Sequence, residues 1–360
     1  MGQRRRDICK GVTHVKFFWT PGCCVNPPHA TVHRKAKKLS SLNDYPQVTR
    51  DDVLAAGQRI SGAVERTPLL EARIRGCRLW LKCESLQTGG SFKLRGATNR
   101  LMQLSEEERG RGVVAFSSGN HAQGVAIAAK RLGIPAIIVM PSDAPSLKVE
   151  GTRAQGAEIT FFDRKTDSRE EIAARIASET GSIVVPSYDD PHIVAGQGTV
   201  GLEILEQLEE AGVPPPARIL VNCGGGGLTS GIALACPDAE VIPVEPEGWD
   251  DMRRSLELGE IVPVGPNPPP TLCDAIQTLQ VSPITFGILH ARAARGLAVS
   301  EEETIAAVRW AWREHGLVVE PGAAVSLAAL LAGKAEIVSE TVALISGGNI
   351  DPELHAKLVA

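Results

Sequence analysis

The sequence predicts an α/β protein built on two doubly wound, mostly parallel open sheets. Three observations carry this expectation. Short, unbroken apolar runs alternate with segments of helical periodicity along most of the chain. Three glycine-flanked polar clusters punctuate that alternation, two of them between a strand-like run and a helix. With 360 residues, 43% of them hydrophobic, the chain exceeds the ~250–300 residues at which one core stops growing, so two domains are expected.

The elements begin near Thr49. There Asp51, Asp52, Val53, Ala56 and Ile60 read as a capped amphipathic helix, with acids in the first turn and apolar residues at helical spacing. Residues 112–116 form a short apolar strand, followed by a helix over 120–132. Residues 136–140 are β-branched and unbroken, as suits a strand buried on both faces. A helix at 146–155, a strand at 158–162, a helix at 168–180 and a strand at 182–185 continue the pattern. A helix at 195–210 leads into strand 218–223, a glycine run, helix 228–236 and strand 240–245. Helices at 301–315 and 322–332 and a strand at 341–346 complete the set. No internal repeat is present, and the proline-rich stretch 263–270 is a stiff surface loop, not a domain linker.

Charge narrows the partners. The net charge is −4, but nine of the 38 basic residues and only one of the 42 acids lie in residues 1–43, leaving 29 basic against 41 acidic in the body, or −12. A body this acidic repels polyanions, so no nucleic-acid partner is expected. No apolar run reaches the ~18 residues of a membrane span, and no membrane partner is expected. The eight cysteines contain no Cys-x-x-Cys spacing, which reads as reduced, buried thiols and a cytoplasmic location. The basic segment 1–48 is rich in arginine and poor in acid, as transit peptides are, but proline, glycine, cysteine and histidine break it. It is expected to be a disordered extension.

The chemistry is concentrated in the clusters. In Ser91-Phe92-Lys93, after Gly89-Gly90, a lysine beside small residues and an aromatic can be a desolvated amine suited to Schiff-base chemistry; a solvated loop lysine is the plainer reading. In Ser117-Ser118-Gly119-Asn120-His121, the free N–H groups of a helix start can attract a carboxylate, or Ser118 or Asn120 can simply cap the helix. Gly224-Gly225-Gly226-Gly227 lets successive amides converge on an anion and reads as a phosphate cup. It is not a P-loop, since no Gly-Lys-Ser/Thr follows. Ser346-Gly347-Gly348-Asn349 brings a hydroxyl to a strand end. A lysine, a phosphate cup, an anion-binding helix start and a hydroxyl together suit a phosphorylated aldehyde cofactor better than a nucleotide.

On these motifs, residues 50–356 resemble the pyridoxal-phosphate-dependent threonine/serine dehydratases, a group that includes serine racemase. The resemblance implies the fold type II (tryptophan synthase β-like) architecture. It also implies a small domain at residues 111–187, a large domain from 50–110 and 188–360, and a site in the cleft between them. It implies pyridoxal 5'-phosphate on Lys93 beside Phe92, Asn120 at the 3'-oxygen, Gly224 to Gly227 around the phosphate and Ser346 at the pyridine nitrogen. The substrate, a small amino acid, is expected with its carboxylate on Ser91 and on Ser117, Ser118, Gly119, Asn120 and His121. The implied reaction is α,β-elimination from L-threonine or L-serine to 2-oxobutyrate or pyruvate and ammonia, with Lys93 as the base. A homodimer is expected by analogy.

Two alternatives come with the resemblance. Ser118 matches the serine that in serine racemase protonates the opposite face, so racemisation is the first. A dehydratase for another hydroxy amino acid, such as 3-hydroxyaspartate, is the second. Relatives bind Mg²⁺ or Ca²⁺ in the segment matching Glu245, the carbonyl of Trp249 and Asp251; a solvated acidic turn is the plainer reading of those residues. One departure stands out: Gly89 replaces the family's usual threonine, which is expected to loosen the loop beneath the cofactor. The short tail after Asn349 leads us to expect neither a regulatory domain nor feedback inhibition by isoleucine.

Overall fold

The computed structural model describes residues 47–117, 119–144, 146–292 and 294–360. The extension expected at 1–48 lies almost wholly outside them, as does Ser118.

Among the described residues ten strands form two sheets. Strands β1 (Leu69–Ile74), β2 (Cys77–Cys83), β7 (Arg218–Asn222), β8 (Glu240–Pro246), β9 (Leu297–Val299) and β10 (Thr341–Ile345) make a six-stranded sheet in the order β1-β2-β10-β7-β8-β9. All its pairings are parallel except the β1–β2 hairpin. Strands β3 (Val113–Phe116), β4 (Ala136–Pro141), β5 (Glu158–Phe162) and β6 (Ile183–Val184) make a parallel sheet in the order β5-β4-β3-β6.

Both sheets are covered on two faces, which is why their strands read as continuous apolar runs. In the larger sheet Leu79, Leu81, Leu220, Ile242, Ala343 and Ile345 face one core with helices Glu301–His315 and Val325–Leu331. Their neighbours Trp80, Ile219, Val221, Val241, Val342 and Leu344 face the other, with helices Arg50–Ile60, Pro191–Glu210 and Gly227–Ala235. In the smaller sheet Val113, Ala115, Ile138 and Met140 pack on helices Lys93–Met102 and Asn120–Leu132, while Val114, Val139 and Phe162 pack on Ala173 and Ile176 of helix Arg169–Thr180. The expected doubly wound, mostly parallel α/β fold is observed.

Two local features position the site. Helix Pro191–Glu210 starts four residues before the expected 195, because the Asp190 carboxylate accepts from the N–H groups of His192 (2.8 Å) and Ile193 (2.9 Å) with Pro191 in the first turn. Gly196 on this helix lets Lys93–Met102 approach closely, since a Cβ there would sit 2.7 Å from Gly96 Cα. The helix expected at 322–332 divides into a 3₁₀ turn, Pro321–Ala323, and helix Val325–Leu331.

Candidate active site

Lys93 opens helix Lys93–Met102, directly after the Gly89-Gly90 turn. Its Nζ lies 5.1 Å from the Phe92 ring centroid and donates to the Ser187 carbonyl at 3.3 Å. Burial pushes the Lys93 amine down to about 8, against the opposing charge of Glu320. A lysine so poised can exchange a proton near neutral pH. The loop beneath it contacts Asn349. Gly89 has φ +79, its carbonyl accepts from Asn349 Nδ2 at 2.8 Å, and a Cβ on it would lie 2.7 Å from Ile127 Cδ1. A side chain at Gly89 would meet the Ile127 methyl and a left-handed backbone.

Asn120 begins its helix but does not cap it. Gly119 occupies the cap position with no side-chain hydrogen bond, so among the described residues no side chain caps the helix-start N–H groups, which suits an anion. The Asn120 amide belongs to a relay instead: Nδ2 donates to Glu320 Oε1 at 2.6 Å, and Oδ1 accepts from Asn349 Nδ2 at 2.7 Å. Burial pushes the Glu320 carboxyl up to about 8; the bond from Asn120 and the charges of Lys148 and Lys93 oppose that rise, while Asp274 adds to it. Glu320 forms no ion pair among the described residues. Ser91 is buried and bridges Gly347, Ser117 Oγ accepts from the Gly119 N–H at 3.2 Å, and His121 Nε2 lies 2.9 Å from the Val185 carbonyl. Ser118 is outside the described residues.

The tetraglycine turn follows β7 and opens helix Gly227–Ala235, with Gly226 at φ +87. The N–H groups of Gly224, Gly225 and Gly226 have no acceptor among the described residues, as an anion cup requires. Tyr188, next to the Ser187 that receives Lys93, lies against this turn: a Cβ on Gly225 would come within 2.2 Å of its ring. Ser346, at the end of β10, is buried, and its Oγ accepts from Asn222 Nδ2 at 2.9 Å. The structure thus brings the lysine turn, the Asn120 helix start, the glycine cup and Ser346 to one place. Asn222, Glu320 and Tyr188 join them, although no motif pointed to them.

Beneath the lysine lies a buried ionic cluster. Arg95 directs Nε and Nη2 to Glu84 (2.8 Å each) and Nη1 and Nη2 to Glu203 (2.6 and 2.9 Å). Lys82 Nζ donates to the same Glu203 at 2.6 Å. Two cations thus balance two carboxylates, and the first turn of the lysine's helix is locked in place.

The acidic segment is not a solvated turn. Glu245 and Asp251 are 0% and 1% exposed. Glu245 accepts the Met252 and Arg253 N–H groups (3.0 and 2.8 Å), and Asp251 Oδ2 accepts that of Val281 at 2.8 Å. Asp251 Oδ1 is buried without a partner among the described residues. Among the described residues no three His, Cys, Asp or Glu side chains form a metal-binding group.

A lysine amine with a lowered pKa and a glycine turn with unbonded N–H groups thus share this site. Residues 60–348 match the family model described as pyridoxal-phosphate dependent enzyme. The chain belongs to that family. It is 42% identical over 317 residues to an L-threo-3-hydroxyaspartate ammonia-lyase of Pseudomonas sp, covering 86% of this chain and 97% of the relative. It is 40% identical to a serine racemase of Schizosaccharomyces pombe over 87% of this chain and 97% of the relative. The crystal structure of a threonine deaminase from T.th. superposes with a TM-score of 0.78 at 44% identity, covering 85% and 99% of the two chains. The fold is that of the fold type II members of the family, and the lyase class follows from these relatives.

Proposed function

We propose that this chain is an ammonia-lyase that eliminates water from a small β-hydroxy amino acid, L-threonine or L-serine, yielding 2-oxobutyrate or pyruvate and ammonia. The observation that carries the reading is Lys93, an amine brought to about 8 at the meeting point of the glycine cup and the Asn120 helix start. Pyridoxal phosphate, when bound there, supplies an electron sink for the charge left as the Cα–H bond breaks. The residues fit that group: open N–H groups at Gly224 to Gly226 suit its phosphate, and Ser346 Oγ, already an acceptor from Asn222, has its own hydrogen left to give a ring nitrogen.

Lys93 takes the α-proton, as an amine of near-neutral pKa can. The helix start at Ser117 to His121, with Ser91, holds the substrate carboxylate, the N–H groups of Asn120 and His121 being unbonded among the described residues while that of Gly119 is shared with Ser117 Oγ. Asn120 orients the bound ring edge through its fixed amide, and Glu320 fixes that amide. We assign residues 111–187 to a small domain and 50–110 with 188–360 to a large one; the strands of the two sheets fall within those ranges. Asp251 Oδ1, buried and unpartnered, supports a Mg²⁺ or Ca²⁺ held by Glu245, Asp251 and the Trp249 carbonyl. The five free cysteines among the described residues suit a reducing, cytoplasmic setting.

The second reading is elimination from 3-hydroxyaspartate, favoured by the 42% identity to the Pseudomonas ammonia-lyase. One experiment separates the readings. The purified protein, supplied with pyridoxal phosphate, is scanned for a Schiff-base band and then given L-threonine, L-serine, D-serine or L-threo-3-hydroxyaspartate with 2-oxo-acid detection. A band absent in Lys93→Ala, with 2-oxobutyrate formed fastest from L-threonine, supports the proposal. Oxaloacetate formed much faster from hydroxyaspartate moves the assignment to the second reading. D-serine formed from L-serine without keto acid makes it a racemase, and the absence of any band ends the proposal.

A further inference from the structure

Asn222 is a polar residue at the end of an otherwise apolar strand, buried at 4% exposure, and every one of its hydrogen-bonding groups is used. Oδ1 accepts from the Ser326 backbone N–H at 3.0 Å. Nδ2 donates to the Ala323 carbonyl at 2.7 Å, to Ser346 Oγ at 2.9 Å and, at the longer distance of 3.3 Å, to the Leu344 carbonyl. These partners leave no freedom in the amide's orientation. A backbone N–H can only donate, so oxygen must face Ser326; carbonyls can only accept, so nitrogen must face Ala323 and Leu344. Flipping the amide would set carbonyl against carbonyl and N–H against N–H.

The consequence passes to the serine. Because Asn222 donates to it, Ser346 Oγ accepts on that side, and its hydrogen has no acceptor among the described residues. A hydroxyl with one lone pair committed and its hydrogen unspent is a donor to whatever comes next.

We propose that Asn222 is a positioning residue for the proposed cofactor: it turns the Ser346 hydroxyl into an obligatory hydrogen-bond donor, so that the ring nitrogen of bound pyridoxal phosphate is held as an acceptor and carries no proton. The inference rests on the pyridoxal-phosphate reading and adds to it a residue that acts through Ser346. Asn222 touches neither substrate nor cofactor. Its effect would be on polarity: a ring held without a proton would withdraw fewer electrons than a pyridinium, which would favour loss of the β-hydroxyl over return of the α-proton.

The test uses the full-length holoenzyme reconstituted with pyridoxal phosphate carrying ¹⁵N in the ring, read by ¹⁵N NMR at neutral pH. The native enzyme is expected to give the shift of an unprotonated pyridine. Asn222→Asp offers only acceptor oxygens when ionised, so Ser346 must donate to residue 222 and present a lone pair to the ring; its shift is expected to move toward that of a pyridinium. Asn222→Ala and Ser346→Ala are each expected to weaken cofactor binding about three- to ten-fold, the worth of one hydrogen bond. The double variant should be no weaker than Ser346→Ala alone, because Asn222 acts through that hydroxyl.

A protonated ring in the native enzyme overturns the proposal. So does a purely structural outcome, in which Asn222→Ala loses thermal stability while ring shift and cofactor affinity stay native. Equal, additive losses in the two backgrounds overturn it as well. Should Asn222→Asp fail to fold, the native shift and the Asn222→Ala with Ser346→Ala cycle still decide. A native protein that forms no Schiff base removes the function reading itself, whereas a normal Schiff base with an indifferent Asn222 removes this inference alone.

Discussion

Replacing Arg95 with methionine tests the buried ionic cluster beneath the lysine. Methionine fills a similar volume, so the loss is chiefly electrostatic. The native guanidinium makes four bonds to carboxylates, two of them to Glu84, whose side chain is 0% exposed. Glu203 keeps Lys82 at 2.6 Å after the substitution. Glu84 keeps only Thr67 Oγ1, at 2.5 Å, and is left a buried charge without a cation in contact. Breaking a buried pair on one side costs about 3–5 kcal/mol. With a urea m-value of about 3 kcal/mol/M for a chain this long, the midpoint should fall by about 1–2 M.

The pH dependence should also change sign. In the native protein burial pushes Glu84 up, but the charge and hydrogen bonds of Arg95, with Lys82, hold it below 4.5. A depressed folded pKa gives stability that is present above the unfolded value and lost as pH falls through the folded one. Without Arg95 the burial effect dominates and the folded pKa rises above 4.5. The Glu84 contribution is then most favourable at low pH and is lost as pH rises through the new folded value. Urea unfolding of both proteins at about pH 8 and about pH 5.5 reads both effects, the variant recovering part of its deficit at the lower pH. A variant within about 1 kcal/mol of native at both pH values would refute the reasoning.

Two further outcomes are expected. In Gly225→Ala the new methyl would lie 2.2 Å from the Tyr188 ring, so the ring must move off the glycine turn. Overpacking of about 1–3 kcal/mol should weaken pyridoxal-phosphate binding roughly ten-fold, measured by fluorescence titration, and Tyr188→Ala in the same chain should restore part of it. Burial, with the charge of Lys93, holds the His121 imidazole down at about 3 from 6.5. Its folded pKa is depressed, so the stability it carries is present above 6.5 and lost as pH falls toward 3, by about 1.4 kcal/mol per unit. His121→Asn should flatten the stability profile between 6.5 and about 5 by up to one proton, and an unchanged slope would sink the assignment.

Much of the fold was legible because parallel strands buried on both faces cannot alternate with polar residues. The runs at 136–140 and 341–346 announce themselves, and the glycine clusters mark the strand ends. The β1–β2 hairpin was not, for a local reason. Its first strand, Leu69–Ile74, carries Glu71 and Arg73 toward solvent, and its turn is Arg75-Gly76 at φ +50 and +80 where an Asn-Gly or Asp-Gly pair would have been a clear signal. Helix Lys93–Met102 was missed because Gly96 and two arginines interrupt its apolar pattern; Arg95 faces inward to an ion cluster and Gly96 makes room for a neighbouring helix.

The site divides in the same way. Lys93, Asn120, Gly224 to Gly227 and Ser346 stand inside short motifs, so local pattern suffices to find them. Glu320 reaches Asn120 across 200 residues of sequence, and no local pattern announces it. Asn222 did leave a trace: it is the polar residue ending Ile219-Leu220-Val221, where an unpaired amide would be too costly to bury.

The place of β10 also governs how the molecule is made. It lies between β2 and β7, and Trp80 on β2 reaches its hydrogen-bond partner Glu340, just before β10, over 260 residues. During synthesis the smaller sheet can assemble as soon as residue 184 has left the ribosome, because its four strands are contiguous in sequence. The larger sheet must wait with a gap at its centre until the last strand emerges, its β2 and β7 edges unpaired and open to wrong partners. The lysine turn waits too, because Ser91 and Phe92 pair with Gly347 and Ser346. A ribosome that stalls before residue 341 therefore releases a chain with one finished sheet, no cofactor site, and an exposed slot the width of a single strand.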